Sequence, residues 1–391
     1  MKTKFIHTAD WQLGKPFSGI QDIDKRSTVI RKRIESLAKV GELAHENGAS
    51  FVLVAGDLFD SFHPMEGVVV NAFETIGAMG LPVVAIPGNH DHGGTGGPWN
   101  LPFVRRHMEE LAPNFCLLDT QDPSESDEAV ILPCPLLQRH ETNDPTLCFR
   151  DPSIFESLPD GKPRILLAHG TIQDFSESDM DEESLERRTP NLINLDRLPN
   201  GELDYIALGD WHGTKQVREN AWYPGTHEPD RFPKNEDYRA GNVLLVEATR
   251  GEPPVVEMLQ SGSLDWVHQT FQIHEDSDLE RLKEQVHTNL PSGLGSGLLQ
   301  LELSGILGIG AYRDLQERLE TWKAGLLRFK FKDGVQVRPD DGELAALKDR
   351  EDPLVAKVAN RLEEIIATGR GDAPIASAAL VQLYMKVHQT S

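Results

Sequence analysis

The chain has 391 residues, 39% of them hydrophobic and 26% charged, with 33 Gly and 25 Pro. These figures exclude collagen-like, disordered and disulfide-stapled classes and predict about two globular domains at roughly 150 residues each. A formal charge of −23, from 39 Lys+Arg against 62 Asp+Glu, excludes a protein that wraps nucleic acid through its overall field, but not a nuclease that neutralises phosphate locally with metal ions.

Lys4–Thr8 reads as a strand, and Asp24 to Asn47 as an amphipathic helix closed by Gly48. Lys25, Arg26, Arg31, Lys32 and Arg33 on that helix read as a solvated face. Phe51–Ala55 is a fully apolar strand, Met65–Met79 a helix ended by Gly80, and Pro82–Ile86 another strand. After a loop-rich middle come Arg164–Ala168, Tyr205–Leu208, Asn242–Glu247 and Val255–Met258. Continuous Val/Ile/Leu runs separated by helices predict sheets buried on both faces, hence an α/β class. The carboxylate-rich run at 174–186 reads as a solvated loop. Beyond Ser261-Gly262-Ser263 a second, smaller α/β unit follows, with strands at Trp266–Ile273, Gly297–Leu303 and Leu326–Phe331 and helices at Asp278–His287 and Tyr312–Trp322. The stretch from Asp341 to Ser391 is helical by pattern. The predicted division is therefore 1–262, 263–340 and 341–391.

The opening MKTKFIHTADWQ lacks the apolar core of a secretory leader, and no apolar stretch approaches the roughly 20 residues of a membrane span. Three cysteines without CxxC spacing, Cys116, Cys134 and Cys148, predict a reducing, cytoplasmic setting.

Five of the apolar strands run straight into residues able to bind metal. These are Asp10-Trp11-Gln12, Gly56-Asp57-Leu58-Phe59-Asp60, Pro87-Gly88-Asn89-His90-Asp91, His169-Gly170 and Gly209-Asp210-Trp211-His212. Singly, each has an ordinary reading: an Asp after a strand caps a helix, GNHD forms a turn, and a lone His packs. In succession, all at strand ends, they predict one crevice beyond the carboxyl edge of the sheets. Oxygen and imidazole donors without thiolates suit Mn²⁺, Fe²⁺ or Zn²⁺.

This series resembles the calcineurin-like metallophosphoesterase superfamily. HTADWQLGK, AGDLFD and IPGNHD resemble, more closely, its DNA-repair exonuclease branch of SbcD-like nucleases, over about residues 1–260. The resemblance implies a two-sheet sandwich flanked by helices, with a small α/β capping domain that guides DNA and a helical C-terminal tail. It implies two divalent metals bridged by Asp57, with Asp10, Gln12 and His212 completing one site and Asn89, His169 and Asp210 the other. Two positions depart from the family pattern, Gln12 and Asp210, where histidines are usual; they shift the expected preference toward hard cations such as Mn²⁺ or Mg²⁺ and predict a weaker first site. The implied reaction is phosphodiester hydrolysis by a water that the two metals convert to hydroxide. His90 would serve as general acid, Asp60 would orient it, and Tyr223 and His227 would contact substrate. The implied partners are DNA and an SMC-like, SbcC-like ATPase docked on 341–391, with a homodimer as in relatives. A small-molecule phosphodiesterase or phosphatase on the same fold, and a weakly active structural subunit, are the alternatives.

Overall fold

The computed structural model describes residues 1–172, 190–235, 237–338, 341–348, 353–369 and 371–389. The acidic run at 174–186 therefore lies outside the described residues. By its internal contacts the chain divides into two compact units, Met1–Leu264 and Asp265–Ser391.

In the first unit the strands are β1 (Lys2–Thr8), β2 (Phe51–Val54), β3 (Val83–Ala85), β4 (Phe115–Leu117), β5 (Ser124–Glu125), β6 (Val130–Cys134) and β7 (Arg164–His169). They continue with β8 (Thr171–Ile172), β9 (Leu192–Ile193), β10 (Tyr205–Gly209), β11 (Lys215–Arg218), β12 (Ala221–Tyr223), β13 (Asn242–Thr249) and β14 (Val255–Gln260). Two six-stranded sheets result, in the orders β14-β13-β1-β2-β3-β4 and β11-β12-β10-β7-β6-β5. The strands β1 to β4 run parallel, as do β6, β7 and β10.

One apolar layer joins the inner faces. Phe5, Phe51, Leu53 and Leu244 from the first sheet meet Ile131, Ile165, Leu167 and Tyr205 from the second. The outer face of the first sheet is covered by α1 (Ile23–Glu46), α2 (Glu66–Ala78) and α3 (Pro102–Leu111), which contribute Leu37, Val40, Phe73, Ile76 and Val104. A separate cluster that includes Phe149, Phe155 and Leu195 covers the second. The short α4 (Ser153–Glu156) supplies Phe155. With both faces buried, the strands carry unbroken apolar runs instead of alternation, so the predicted α/β sandwich flanked by helices is what forms.

Helix α1 starts at Asp22, whose carboxylate accepts the Asp24 and Lys25 N–H groups at 3.0 and 3.1 Å, and ends before Gly48 at φ +65°. Its basic residues do not all face water. Lys32 pairs with Glu35, but Arg33 is 1% exposed and turns into the protein.

The second unit holds three parallel strands, β15 (Asp265–Ile273), β16 (Gly297–Leu307) and β17 (Arg328–Val337), with α5 (Asp278–Asn289) and α6 (Ile309–Gly325) packed on one core. Three further helices, α7 (Asp341–Lys348), α8 (Pro353–Ala367) and α9 (Ala373–Gln389), share a small cluster around Leu347, Ala359 and Leu380. The strand predicted at Leu326–Phe331 begins two residues later and runs on to Val337. Backbone pairing with β16 carries it past its last phenylalanine through polar residues. Among the described residues no helix is long and apolar enough to cross a membrane.

Candidate metal centre

Parallel pairing brings the carboxyl ends of β1, β2 and β3 to one edge, with Thr8 opposite Val54 and Val54 opposite Ala85. The loops beyond them stay laced together. Asp10 N–H donates to the Gly56 carbonyl at 3.1 Å, and Gln12 N–H to that of Asp57 at 2.8 Å. In the second sheet Gly209 lies opposite His169. Asp10, Gln12, Asp57 and Asp210 all adopt left-handed φ, at 52°, 40°, 56° and 105°. Such conformations cost non-glycine residues roughly 1–3 kcal/mol each and persist only where surrounding bonds impose them. Strain is thus concentrated where the sequence motifs converge.

The donor atoms of Asp10, Asp57 and His169 lie within 4.8 Å of one another, the one His/Cys/Asp/Glu cluster of metal-ligand spacing among the described residues. His169 Nε2 is 2.8 Å from Asn89 Oδ1, 3.6 Å from Asp57 Oδ1 and 3.8 Å from Asp210 Oδ1. On the ring's other side, Nδ1 faces the Ala55 carbonyl at 2.7 Å and must donate to it. Thr171 Oγ1 donates to Asp210 Oδ2 at 2.6 Å, and Asp210 N–H reaches both Asp10 carboxylate oxygens at 3.1 and 3.2 Å. The His90 N–H donates to Asp57 Oδ1 at 2.9 Å.

Close approach depends on glycine at two places. A Cβ at Gly88 would sit 2.2 Å from Asp57 Oδ1, and one at Gly209 would sit 1.8 Å from the Ala55 carbonyl that orients His169.

The electrostatics record a shortage of positive charge. Burial, with repulsion from Asp57 and Asp210, pushes the Asp10 carboxyl up to about 7. Burial alone would lower the His169 imidazole, but Asp57, Asp10 and Asp210 override it and raise it to about 9. Burial also opposes charge on Asp57, which His169 and His90 nevertheless hold below its usual range. A neutral His169 would aim its Nε2 lone pair at three oxygens. A hard divalent cation among Asp57, Asn89, His169 and Asp210 answers both problems, since oxygens and an imidazole nitrogen are the donors it prefers. This half of the site fits a metal.

A family model described as calcineurin-like phosphoesterase matches residues 3–240. The chain belongs to the calcineurin-like phosphoesterase family. Its members hydrolyse phosphoesters with divalent metals, so the metal-dependent hydrolase expected from the strand-end motifs is the family's chemistry. A crystal structure of TT1561 of Thermus thermophilus aligns at 13% identity over 67% of this chain and 100% of that chain, with a TM-score of 0.40. A second crystal structure aligns at 14% identity over 66% and 99%, with a TM-score of 0.38.

Within this calcineurin-like site, His212 places its Nε2 4.0 Å from Asp10 Oδ1. Burial, with Arg231 adding to it, lowers this imidazole to about 4, so it is neutral. Gln12 is buried, 3.3 Å from Asp57 Oδ2 through its amide nitrogen. His90 is half-buried, and its Nδ1 lies 2.9 Å from the main-chain oxygen of Asp60. The link from Asp60 to His90 therefore runs through the carbonyl, while the Asp60 carboxylate faces Lys15 at 4.0 Å.

Two expected substrate contacts are corrected. Tyr223 and His227 are both 0% exposed. The Tyr223 hydroxyl donates to the Gly170 carbonyl at 2.6 Å, and His227 Nε2 bonds the Arg33 carbonyl at 2.9 Å while its ring packs on Trp11. Tyr223 occupies an inward-facing position of β12 within the second sheet's core cluster, and His227 is carried inward by the segment that follows that strand. His7 is also structural, bonded through Nδ1 to the Tyr205 hydroxyl at 2.9 Å.

Several supporting roles escaped the motif reading. Asp91 accepts the N–H groups of Leu58, Gly88 and Phe59 at 2.8, 2.8 and 3.2 Å, tying the second and third loops together. Asp230 Oδ2 lies 2.7 Å from Lys15 Nζ and 2.9 Å from His212 Nδ1. Arg33 donates to the carbonyls of Trp11, Asp10 and Glu228. For Asp91, its place in the GNHD motif was the available signal. Asp230 and Arg33 had none, being remote in sequence from what they hold.

Proposed function

We propose that the chain is a DNA exonuclease of the SbcD-like repair type, a Mn²⁺-dependent phosphodiesterase working in the cytoplasm with an SMC-like, SbcC-like ATPase and able to form a homodimer. The observation that carries the hydrolytic reading is the convergence of Asp10, Asp57, Asn89, His169 and Asp210 at the ends of parallel strands. The DNA reading is supported by HTADWQLGK, AGDLFD and IPGNHD, the stretches most like the exonuclease branch. Exposed Leu354, Val358 and Ile375 support a partner contact in the segment 341–391. The proposed division of labour is a nuclease body at 1–262, a small cap at 263–340 and this helical tail.

Asp57, Asn89, His169 and Asp210 would hold the cation, with Asp10 beside it. When bound, a divalent cation supplies Lewis acidity to the phosphate and to the attacking water. His90 supplies the proton. A carbonyl oxygen can only accept, so Nδ1 donates to Asp60 and Nε2 is the atom that meets substrate. Burial opposes charge on His90, yet Asp57 and Asp60 raise it above the ordinary histidine value, which favours the protonated ring that a general acid for the leaving oxygen needs. The Asp91 and Asp10 loops keep this geometry rigid before substrate arrives.

The test is digestion of end-labelled double-stranded DNA with Mn²⁺, alongside bis-p-nitrophenyl phosphate, with Asp57→Asn as control. DNA degradation that disappears in the variant is the expected result. Turnover of the small diester alone would replace this reading with a small-molecule phosphodiesterase. Turnover of neither would point to a structural subunit.

A further inference from the structure

The half of the centre around Gln12 does not match the half around His169. Lys15 Nζ lies 2.7 Å from one terminal atom of the Gln12 side chain. An ammonium only donates, so that atom is the amide oxygen. The amide nitrogen is thereby turned inward, 3.3 Å from Asp57 Oδ2 and 3.3 Å from His212 Nε2. Asp230 Oδ2 and Arg231 Nη2 face His212 Nδ1 at 2.9 and 3.0 Å, and of these only the carboxylate can accept. The Gln12 amide nitrogen can only donate, so His212 Nε2 accepts from it and the ring proton sits on Nδ1, facing Asp230. Asp230 also fixes Lys15, at 2.7 Å. Asp57 Oδ2 and His212 Nε2, two directions in which a first-site cation would be held, are thus both met by N–H groups of one side chain.

We propose that this chain binds a single divalent cation, among Asp57, Asn89, His169 and Asp210, and that the Gln12 amide, turned by Lys15, stands where a second cation would be held. This rests on the metal-dependent hydrolase reading and narrows it. A cation on the Gln12 side would require the amide to reverse, which would break the Lys15 bond and set an amide N–H₂ against an ammonium. Lys15 and Gln12 are positioning residues in this scheme. They keep Asp57 and His212 in place without a metal between them.

The experiment is Mn²⁺ titration of the full chain by calorimetry, paired with electron paramagnetic resonance of the bound ion. The wild type is expected to take up one cation per chain and give an uncoupled Mn²⁺ spectrum. Lys15→Met, which lets the amide oxygen turn inward, and Gln12→His, which supplies an imidazole, are each expected to admit a second cation, with its affinity raised about 10–100-fold and a spin-coupled pair appearing. Circular dichroism identifies a variant that has not folded, and the other then decides. Two cations of similar affinity in the wild type would overturn the proposal while leaving the hydrolase reading intact. So would a folded variant that still binds one. A wild type that binds none would remove both.

Discussion

Arg33→Met removes a guanidinium that ties the first metal-bearing loop to its neighbours. Arg33 is 1% exposed and spans three main-chain carbonyls, those of Trp11 at 2.5 Å and of Asp10 and Glu228 at 2.9 Å, besides the Thr226 hydroxyl at 2.8 Å. Burial pulls its pKa below the usual value, against the carboxylates of Asp230, Glu228, Asp60 and Asp10. Methionine keeps most of the stem but none of the donors. The Asp10 and Glu228 carbonyls keep the Thr226 hydroxyl at 3.0 Å, while the Trp11 carbonyl loses this donor. An orphaned buried acceptor costs about 1–3 kcal/mol, and stripping the positive partner from a buried charge network costs about 3–5 kcal/mol in all. For a unit of this size that is a fall in Tm of roughly 6–20 °C. The slackened loop also lets Asp10 leave its left-handed conformation, so Mn²⁺ affinity should drop alongside. Urea unfolding and Mn²⁺ calorimetry on wild type and variant measure both. A stability loss below about 1 kcal/mol with unchanged Mn²⁺ affinity would refute the reasoning.

Burial drags the pKa of His7 from 6.5 down to about 3. The unfolded chain takes up this proton as the pH falls through 6.5, and the folded chain only near 3, so the stability present above 6.5 is lost across that window. His7→Gln should flatten the fall by one proton, about 1.4 kcal/mol per pH unit, and identical slopes in urea unfolding between about pH 6 and pH 4 would contradict it. Gly88→Ala would drive a methyl into Asp57 Oδ1, 2.2 Å away. We expect about 1–3 kcal/mol of destabilisation and loss of the Tm increase that Mn²⁺ gives the wild type, and an undiminished increase would count against the close-approach argument. Thr171→Val deletes the 2.6 Å bond that aims the Asp210 carboxylate. Cation affinity should weaken about 10–100-fold with the fold intact, and an unaltered affinity by calorimetry would mean Asp210 is no ligand.

What could be read from sequence was whatever is local. Each strand feeding the site is a short apolar run that stops at a Gly or Asp, and Asp10, Asp57, Asn89, His169 and Asp210 were visible because a motif follows each stop. Parallel pairing then brings those stops together, as the alternation of strands and helices implied. Residues that act across the fold were not visible. Arg33 looked like a member of a basic helix face, because its neighbours Arg31 and Lys32 are solvent-facing ions paired with Glu35. Asp230 lies in a loop with no spacing signal, yet it fixes both Lys15 and His212. Tyr223 and His227 were misread for the opposite reason. Nearness in the chain to the Gly209–His212 motif suggested a place lining the site, whereas Tyr223 takes an inward position of β12 and His227 is buried in the segment beyond the turn at Pro224-Gly225. The orientation of the Gln12 amide was equally hidden, since it is set by Lys15 and Asp230 and not by Gln12 itself.

The most direct measurement of the central claim is an anomalous difference map from crystals soaked in Mn²⁺. The account predicts a peak enclosed by Asp57, Asn89, His169 and Asp210. Crystals that diffract well yet show no density there, or place the ion among other residues, would contradict it.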